Sequence, residues 1–139
     1  MRTVPSILIA ASALVILTLG VLHLVFTYRG TKFHPRDPSL LERLKEVSPV
    51  ISRETTMWRA SIGFRASHSF GAMLFGLVYG YLALESSGFL FKSPFLMTLG
   101  LVCLCAYLVL GKLYWFKVPF RGIFLATALY ASALVATWA

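Results

Sequence analysis

Residues 63–80, GFRASHSFGAMLFGLVYG, decide the fold, because they place polar side chains inside an otherwise apolar segment. An apolar run of this length predicts the first half and middle of a membrane-spanning helix. A charged side chain within such a helix costs a few kcal/mol or more unless it reaches the interface or a partner. Arg65 and His68 therefore mark the part of the chain where a function is to be sought.

The composition of the whole chain predicts a membrane protein. Of its 139 residues 58% are hydrophobic, and the mean hydropathy of +0.79 is too high for a soluble domain of this size. Four apolar segments are long enough to cross a bilayer, at about residues 5–26, 60–84, 94–111 and 119–138. We therefore predict an all-α fold, a four-helix transmembrane bundle that forms a single domain over residues 1–139.

A charged segment between the first two spans predicts a helix that lies on the membrane surface. Asp37 is suited to cap the N-terminus of a helix, with Pro38 in the first helical position. The helix, at about residues 38–47, carries leucine and valine on one face and charged side chains on the other. Because it is too short and too charged to span a bilayer, we predict a short interfacial amphipathic helix.

The basic side chains indicate an orientation in the membrane and not a nucleic-acid partner. Two of the thirteen, Arg2 and Lys92, fall on one side of the predicted spans. The other eleven fall in or beside the loops of the other side: Arg29, Lys32, Arg36, Arg43, Lys45, Arg53, Arg59, Arg65, Lys112, Lys117 and Arg121. This asymmetry predicts a multi-pass protein of the inner membrane, with both basic loops in the cytoplasm and both termini outside it.

Small residues follow one face of the second span. His68, Ala72, Gly76 and Gly80 recur at every fourth position, and Ser67 and Gly71 extend the small surface to one side. Such a surface lets another helix approach closely, because membrane helices associate through packing. Our first hypothesis is therefore a non-enzymatic subunit that packs through these residues with other membrane subunits or with itself.

The histidines support a second class of hypothesis, in which the chain binds a ligand. His23, near the end of the first span, and His68 fall at similar depths, so that the pair could ligate a b-type haem. Arg65, His68 and Ser69 could instead hold the head of a quinone or an anionic lipid at the cytoplasmic interface. In a third interpretation each imidazole hydrogen-bonds a neighbouring helix and Arg65 simply reaches lipid headgroups.

The sequence offers no catalytic pattern and no metal cluster. Only five acidic residues occur, too few within the spans for a carboxylate pair or a metal site. Cys103 and Cys105 point in different directions on a helix, which argues against a disulfide or a metal pair. His34 is expected to be solvated in the loop. We predict no catalytic residue, no metal ligand and no resident cofactor other than the haem or quinone alternatives.

Several motifs in the first 85 residues resemble one known family. They are KFHPRDP at residues 32–38, SP at 48–49, TTMW at 55–58 and GFxASHSxG at 63–71. Together they are similar to a family of small, uncharacterised bacterial membrane proteins with four predicted spans. That family often has asparagine where this chain has Arg65. The resemblance implies a four-span bacterial membrane protein and no particular activity.

Overall fold

The computed structural model describes residues 4–138, except for the side chain of Trp138; Arg2, which was counted for the orientation, lies outside the described residues. This part of the chain is helical, without strands. The helices are α1 (Val4–Tyr28), α2 (Pro38–Glu46), α3 (Met57–Leu84), α4 (Phe89–Lys92), α5 (Pro94–Tyr114) and α6 (Lys117–Trp138). By length and composition, α1, α3, α5 and α6 could each cross a membrane. The predicted all-α, four-helix class is confirmed.

Local signals explain where the helices begin and end. α3 starts at Met57, before the expected Ala60, and the amide of Arg59 donates to the Thr56 hydroxyl at 3.3 Å. α5 begins after Ser93, whose side chain accepts a hydrogen bond from the amide of Leu96. The one-turn helix α4 was not predicted; it follows Gly88, whose φ of +64° suits glycine.

The chain divides into two compact units. The first comprises Met1–Leu19 with Ala72–Ala139, as far as these ranges are described, and the second comprises Gly20–Gly71. The first unit therefore holds parts of all four long helices. Its core consists of aliphatic and aromatic side chains that are at most 7% exposed, among them Ile9, Ile16, Met97, Leu104 and Tyr130.

Buried polar side chains join the helices of the first unit. The Ser12 hydroxyl of α1 donates to the carbonyl oxygen of Ala126 in α6 at 2.7 Å. The Tyr130 hydroxyl of α6 donates to the carbonyl oxygen of Met97 in α5 at 3.1 Å. Such bonds satisfy polar groups that would otherwise lie unpaired in an apolar environment, so they favour one helix arrangement.

The small residues of α3 allow α1 to approach closely in the first unit. A Cβ atom added at Gly76 would lie 2.6 Å from Leu17 Cβ and 2.8 Å from the carbonyl oxygen of Ala13. One added at Gly80 would lie 3.7 Å from Ala13 Cβ, an ordinary van der Waals contact. The face around Gly76 is therefore occupied by α1 of the same chain.

The second unit contains α2 and the loops on either side of it. Asp37 caps α2 as predicted, since its carboxylate accepts hydrogen bonds from the Ser39 amide at 2.9 Å and the Ser39 hydroxyl at 2.8 Å. Pro38 occupies the first turn, and no residue of α2 is buried. The helix ends at Glu46, one residue before the expected Val47. Its exposure fits the amphipathic pattern read from the sequence.

Candidate interfacial binding site

A polar and aromatic cluster forms in the second unit, where the last turns of α1 meet the first turns of α3 and the loop between α1 and α2. The loop turns at Gly30, whose φ of +83° is accessible to glycine. A hydrogen bond of 3.0 Å from the amide of His34 to the carbonyl oxygen of Thr31 tightens this turn. The turn brings the Phe33 ring to 4.8 Å from the His23 ring, measured between centroids.

The structure brings His23 and His68 together. Their ring centroids lie 5.2 Å apart in an edge-to-face arrangement, with an angle of 77° between the ring planes. Two axial ligands of one iron would have ring centres about 6.4 Å apart, from iron–nitrogen bonds of about 2.0 Å and nitrogen-to-centre distances of about 1.2 Å. The imidazoles would therefore have to separate and turn before a haem could lie between them.

Ser69 links α1 to α3 at the same place. Its hydroxyl lies 2.8 Å from His23 Nδ1 and 3.0 Å from the carbonyl oxygen of Arg65, and the side chain is fully buried. A carbonyl oxygen only accepts, and a hydroxyl has one proton to donate. For both bonds to form, Ser69 donates to Arg65 and accepts from the Nδ1–H of His23. A neutral His23 then has an unprotonated Nε2.

The distance between Ser69 and His23 is that of a nucleophile and its general base. Two observations argue against this role. Ser69 is fully buried, so no substrate can reach its oxygen. In the arrangement that satisfies both hydrogen bonds, the hydroxyl proton is directed to the backbone and not to the imidazole. We therefore interpret the Ser69 bond as one that holds α1 and α3 together.

Arg65 is the charged residue of the cluster and is held on several sides. Its Nε donates to the carbonyl oxygen of Ser61 at 3.1 Å, and one terminal nitrogen donates to the Ser61 hydroxyl at 2.6 Å. The other terminal nitrogen lies 3.4 Å from the carbonyl oxygen of Phe33. The guanidinium carbon lies 5.5 Å from the centre of the Phe33 ring and 4.9 Å from that of Trp58.

No carboxylate neutralises Arg65 within residues 4–138. The ion pairs found there lie on α2, between Arg43 and Glu46 at 3.8 Å and between Lys45 and Glu42 at 2.7 Å. Its three donor contacts also leave one N–H on each terminal nitrogen without a protein acceptor in this part of the chain. The cluster thus presents a fixed positive charge with hydrogen-bond donors to spare.

His34 lies in the cluster, and the expectation that it is solvated is wrong. It is half-buried, and its ring meets the Trp58 ring edge-on with centroids 5.1 Å apart. Sequence reasoning missed Phe33 and Trp58 as site residues. The available signal was their position in the motifs KFHPRDP and TTMW, which the fold brings together with ASHS of α3.

The other residues expected to pack are distributed around α3. Ala72 is buried in the first unit, like the Gly76 face described above. Ser67 and Gly71 are exposed, and the Ser67 hydroxyl donates to the carbonyl oxygen of Phe64 in its own helix at 2.9 Å. Within the chain, the small residues of α3 therefore pack against other helices at Ala72 and Gly76 but not at Ser67 and Gly71.

A groove of about 720 Å³ opens in the first unit near the ends of α1, α3 and α6, with Glu85 and Lys92 on its wall. The Lys92 ammonium donates to the carbonyl oxygen of Ser87 at 2.9 Å. A hydrogen bond from the Ser87 hydroxyl lowers the pKa of Glu85. Both charges are thus bound by their own hairpin, which makes this groove a weaker candidate than the cluster around Arg65.

Comparison with known proteins does not indicate a function, so the geometry of the cluster around Arg65 is the basis for one. No family model, no curated protein and no solved structure matches this chain. The family resemblance of the motifs therefore stays a prediction.

Proposed function

We propose that the chain is a non-enzymatic, four-span protein of the bacterial inner membrane that binds an anionic lipid headgroup at the cytoplasmic interface through Arg65. The observation that carries the proposal is a guanidinium that lies against two aromatic rings, without a carboxylate partner in residues 4–138. A phosphate group offers both the missing negative charge and acceptors for the remaining N–H groups.

The depth of Arg65 supports a headgroup as the ligand. Arg65 lies eight residues after Met57, or about 12 Å along α3 at 1.5 Å per residue. Its hydrogen bonds run to Ser61, one turn nearer the start of the helix. The side chain thus extends back toward the N-terminal end of α3, as a long basic side chain does when it reaches for the interface.

The orientation follows from the distribution of charge. With eleven of thirteen basic residues in or beside two loops, those loops are expected in the cytoplasm, where anionic lipids give the leaflet a negative surface potential. Both termini then lie outside the cytoplasm.

Self-association through the face around Gly76 receives less support, because α1 already packs there within the chain. The haem alternative would require His23 and His68 to separate, and the quinone alternative leaves the charge of Arg65 without compensation. Of the functions considered, binding of an anionic headgroup requires the least rearrangement of the site.

The test is lipid retention by Arg65→Gln with Arg59→Gln as its matched control. Both variants remove one positive charge from the start of α3, but Arg59 is exposed and Arg65 is held in the cluster. Native mass spectrometry in mild detergent should show several-fold lower retention of phosphatidylglycerol for Arg65→Gln and little change for Arg59→Gln. Equal retention by the two variants would refute the proposal. Loss of a co-purifying quinone in Arg65→Gln would favour the quinone alternative instead.

A further inference from the structure

The loop of residues 48–56, between α2 and α3, is closed and ordered by its own hydrogen bonds. The amide of Met57 donates to the carbonyl oxygen of Val47 at 2.8 Å, which closes the base of the loop. The amide of Ser52 donates to the carbonyl oxygen of Pro49 at 3.2 Å, which makes Val50 and Ile51 the central residues of a tight turn. The two side chains at the tip are therefore presented by a fixed backbone.

Val50 and Ile51 are the most exposed large hydrophobic residues in the described part of the chain. Their exposed fractions are 109% and 93%, against at most 75% for the other large hydrophobic residues of this part of the chain. Gly, Asn, Asp and Ser are the usual residues at the centre of turns, because they fit the backbone and tolerate water. Two branched apolar side chains at this point indicate a surface that is covered by something apolar.

The neighbourhood of the loop indicates lipid as the cover. α3, a candidate span, begins at the base of the loop, and its 28 residues measure about 42 Å, close to the thickness of a bilayer with its headgroups. Its first turn is thus expected at headgroup level. The amphipathic helix α2 leads into the loop from the other side and has an exposed apolar residue of its own, Leu40, and Val47 directly after the helix is exposed as well.

Charge argues against a second copy of the chain as the cover. Residues 29–65 contain eight basic and four acidic side chains, and Arg53 lies within the loop itself. Two such surfaces repel each other, whereas an anionic membrane attracts both. Apolar side chains flanked by arginine are typical of segments that enter the boundary between headgroups and acyl chains.

We propose that Val50 and Ile51 insert into the headgroup–acyl boundary of the bilayer and anchor the loop there. This inference is independent of the headgroup site at Arg65. Inserted side chains leave water, and the arginines nearby remain at the level of the phosphates. The occupant is the bilayer that the long helices cross.

Site-specific fluorescence tests the insertion. Ile51→Cys and Glu54→Cys are each made in a Cys103→Ala, Cys105→Ala background, labelled with a nitrobenzoxadiazole fluorophore and reconstituted in liposomes of phosphatidylglycerol and phosphatidylcholine. Both positions are exposed in the same loop, so neither substitution disturbs the packing of the helices. The label at residue 51 should emit at shorter wavelength and be quenched several-fold less by iodide than the label at residue 54. A lipid that carries a nitroxide near its headgroup should quench the label at residue 51 more than the label at residue 54.

Two results would overturn the inference. One is equal quenching by iodide at residues 51 and 54, which would mean that the tip lies in water. The other is protection of residue 51 that disappears as the protein-to-lipid ratio is lowered, because a second copy of the chain would then be the cover. Val50→Cys, labelled in the same way, should behave like Ile51→Cys.

Discussion

Replacing Gly76 by alanine is expected to force α1 away from α3 in the first unit. The new Cβ atom would lie 2.6 Å from Leu17 Cβ, 2.8 Å from the Ala13 carbonyl oxygen and 3.0 Å from Leu17 Cα. Carbon atoms pack best at about 3.5–4.0 Å. Because two of the three atoms belong to the backbone, the helix itself has to move by about 1 Å. Such overpacking typically costs about 1–3 kcal/mol.

Gly80→Ala is the matched control, one turn further along the same helix. Its Cβ atom would meet Ala13 Cβ at 3.7 Å, which requires no movement. Both substitutions gain about 1 kcal/mol of helix propensity, so this term cancels when the variants are compared. The difference in free energy of unfolding between them is then the clash alone, about 1–3 kcal/mol. Reversible unfolding in mixed micelles, followed by circular dichroism, measures it.

The prediction also separates packing within the chain from packing between chains. If Gly76 contacts α1 of the same molecule, the loss of stability in Gly76→Ala is independent of protein concentration. A loss that grows on dilution would assign the contact to a second copy. Equal stability of Gly76→Ala and Gly80→Ala would refute the close approach of the two helices.

Two further predictions concern single hydrogen bonds. Ser12→Ala removes the buried hydrogen bond to the Ala126 carbonyl oxygen and should lower the free energy of unfolding by about 0.6–1.7 kcal/mol. Thr18→Val is the control, because it loses only an exposed hydrogen bond to its own helix, and it should have little effect in the same assay. Hydrogen bonds from Ser39 lower the pKa of Asp37 below its ordinary 3.8, so the cap stabilises α2 above that pH and is lost as pH falls through the lowered pKa of the folded state. The Ser39 amide resonance should report this loss as the pH falls below the ordinary Asp pKa of 3.8, and a titration that persists in Asp37→Asn would contradict it.

Much of the fold was predictable because it depends on signals that are local in sequence. Hydropathy over some twenty residues predicts a span, and Asp37 before Pro38 predicts the start of α2 without knowledge of any distant contact. The ends were less accurate, since α3 begins at Met57 and not near Ala60. Helix ends depend on single capping bonds, such as that to the Thr56 hydroxyl, which hydropathy does not register.

The site was harder to predict because its contacts join separate segments. Helix geometry directs the side chains of Ser69 and His68 apart, so the sequence excluded Ser69 as a hydrogen-bond partner of His68. Its contact with His23 depends on the register between α1 and α3, and that register is fixed by tertiary packing. Phe33 reaches His23 only through the turn at Gly30. The fourfold spacing of small residues similarly predicted a packing face, but not that α1 would occupy it near Gly76.

The charge of Arg65 favours one of the two ligands proposed for its site over the other. A quinone carbonyl can accept a hydrogen bond from the guanidinium, but it leaves the positive charge near the edge of the hydrocarbon region without compensation. A charge in a span costs a few kcal/mol or more, and a phosphate offsets part of that cost as well as accepting hydrogen bonds. The aromatic rings of Phe33 and Trp58 lie against the guanidinium, which would reduce the side-chain entropy lost if a ligand bound there. A fixed cation that lacks an acidic partner in residues 4–138 therefore favours an anionic headgroup over a neutral one.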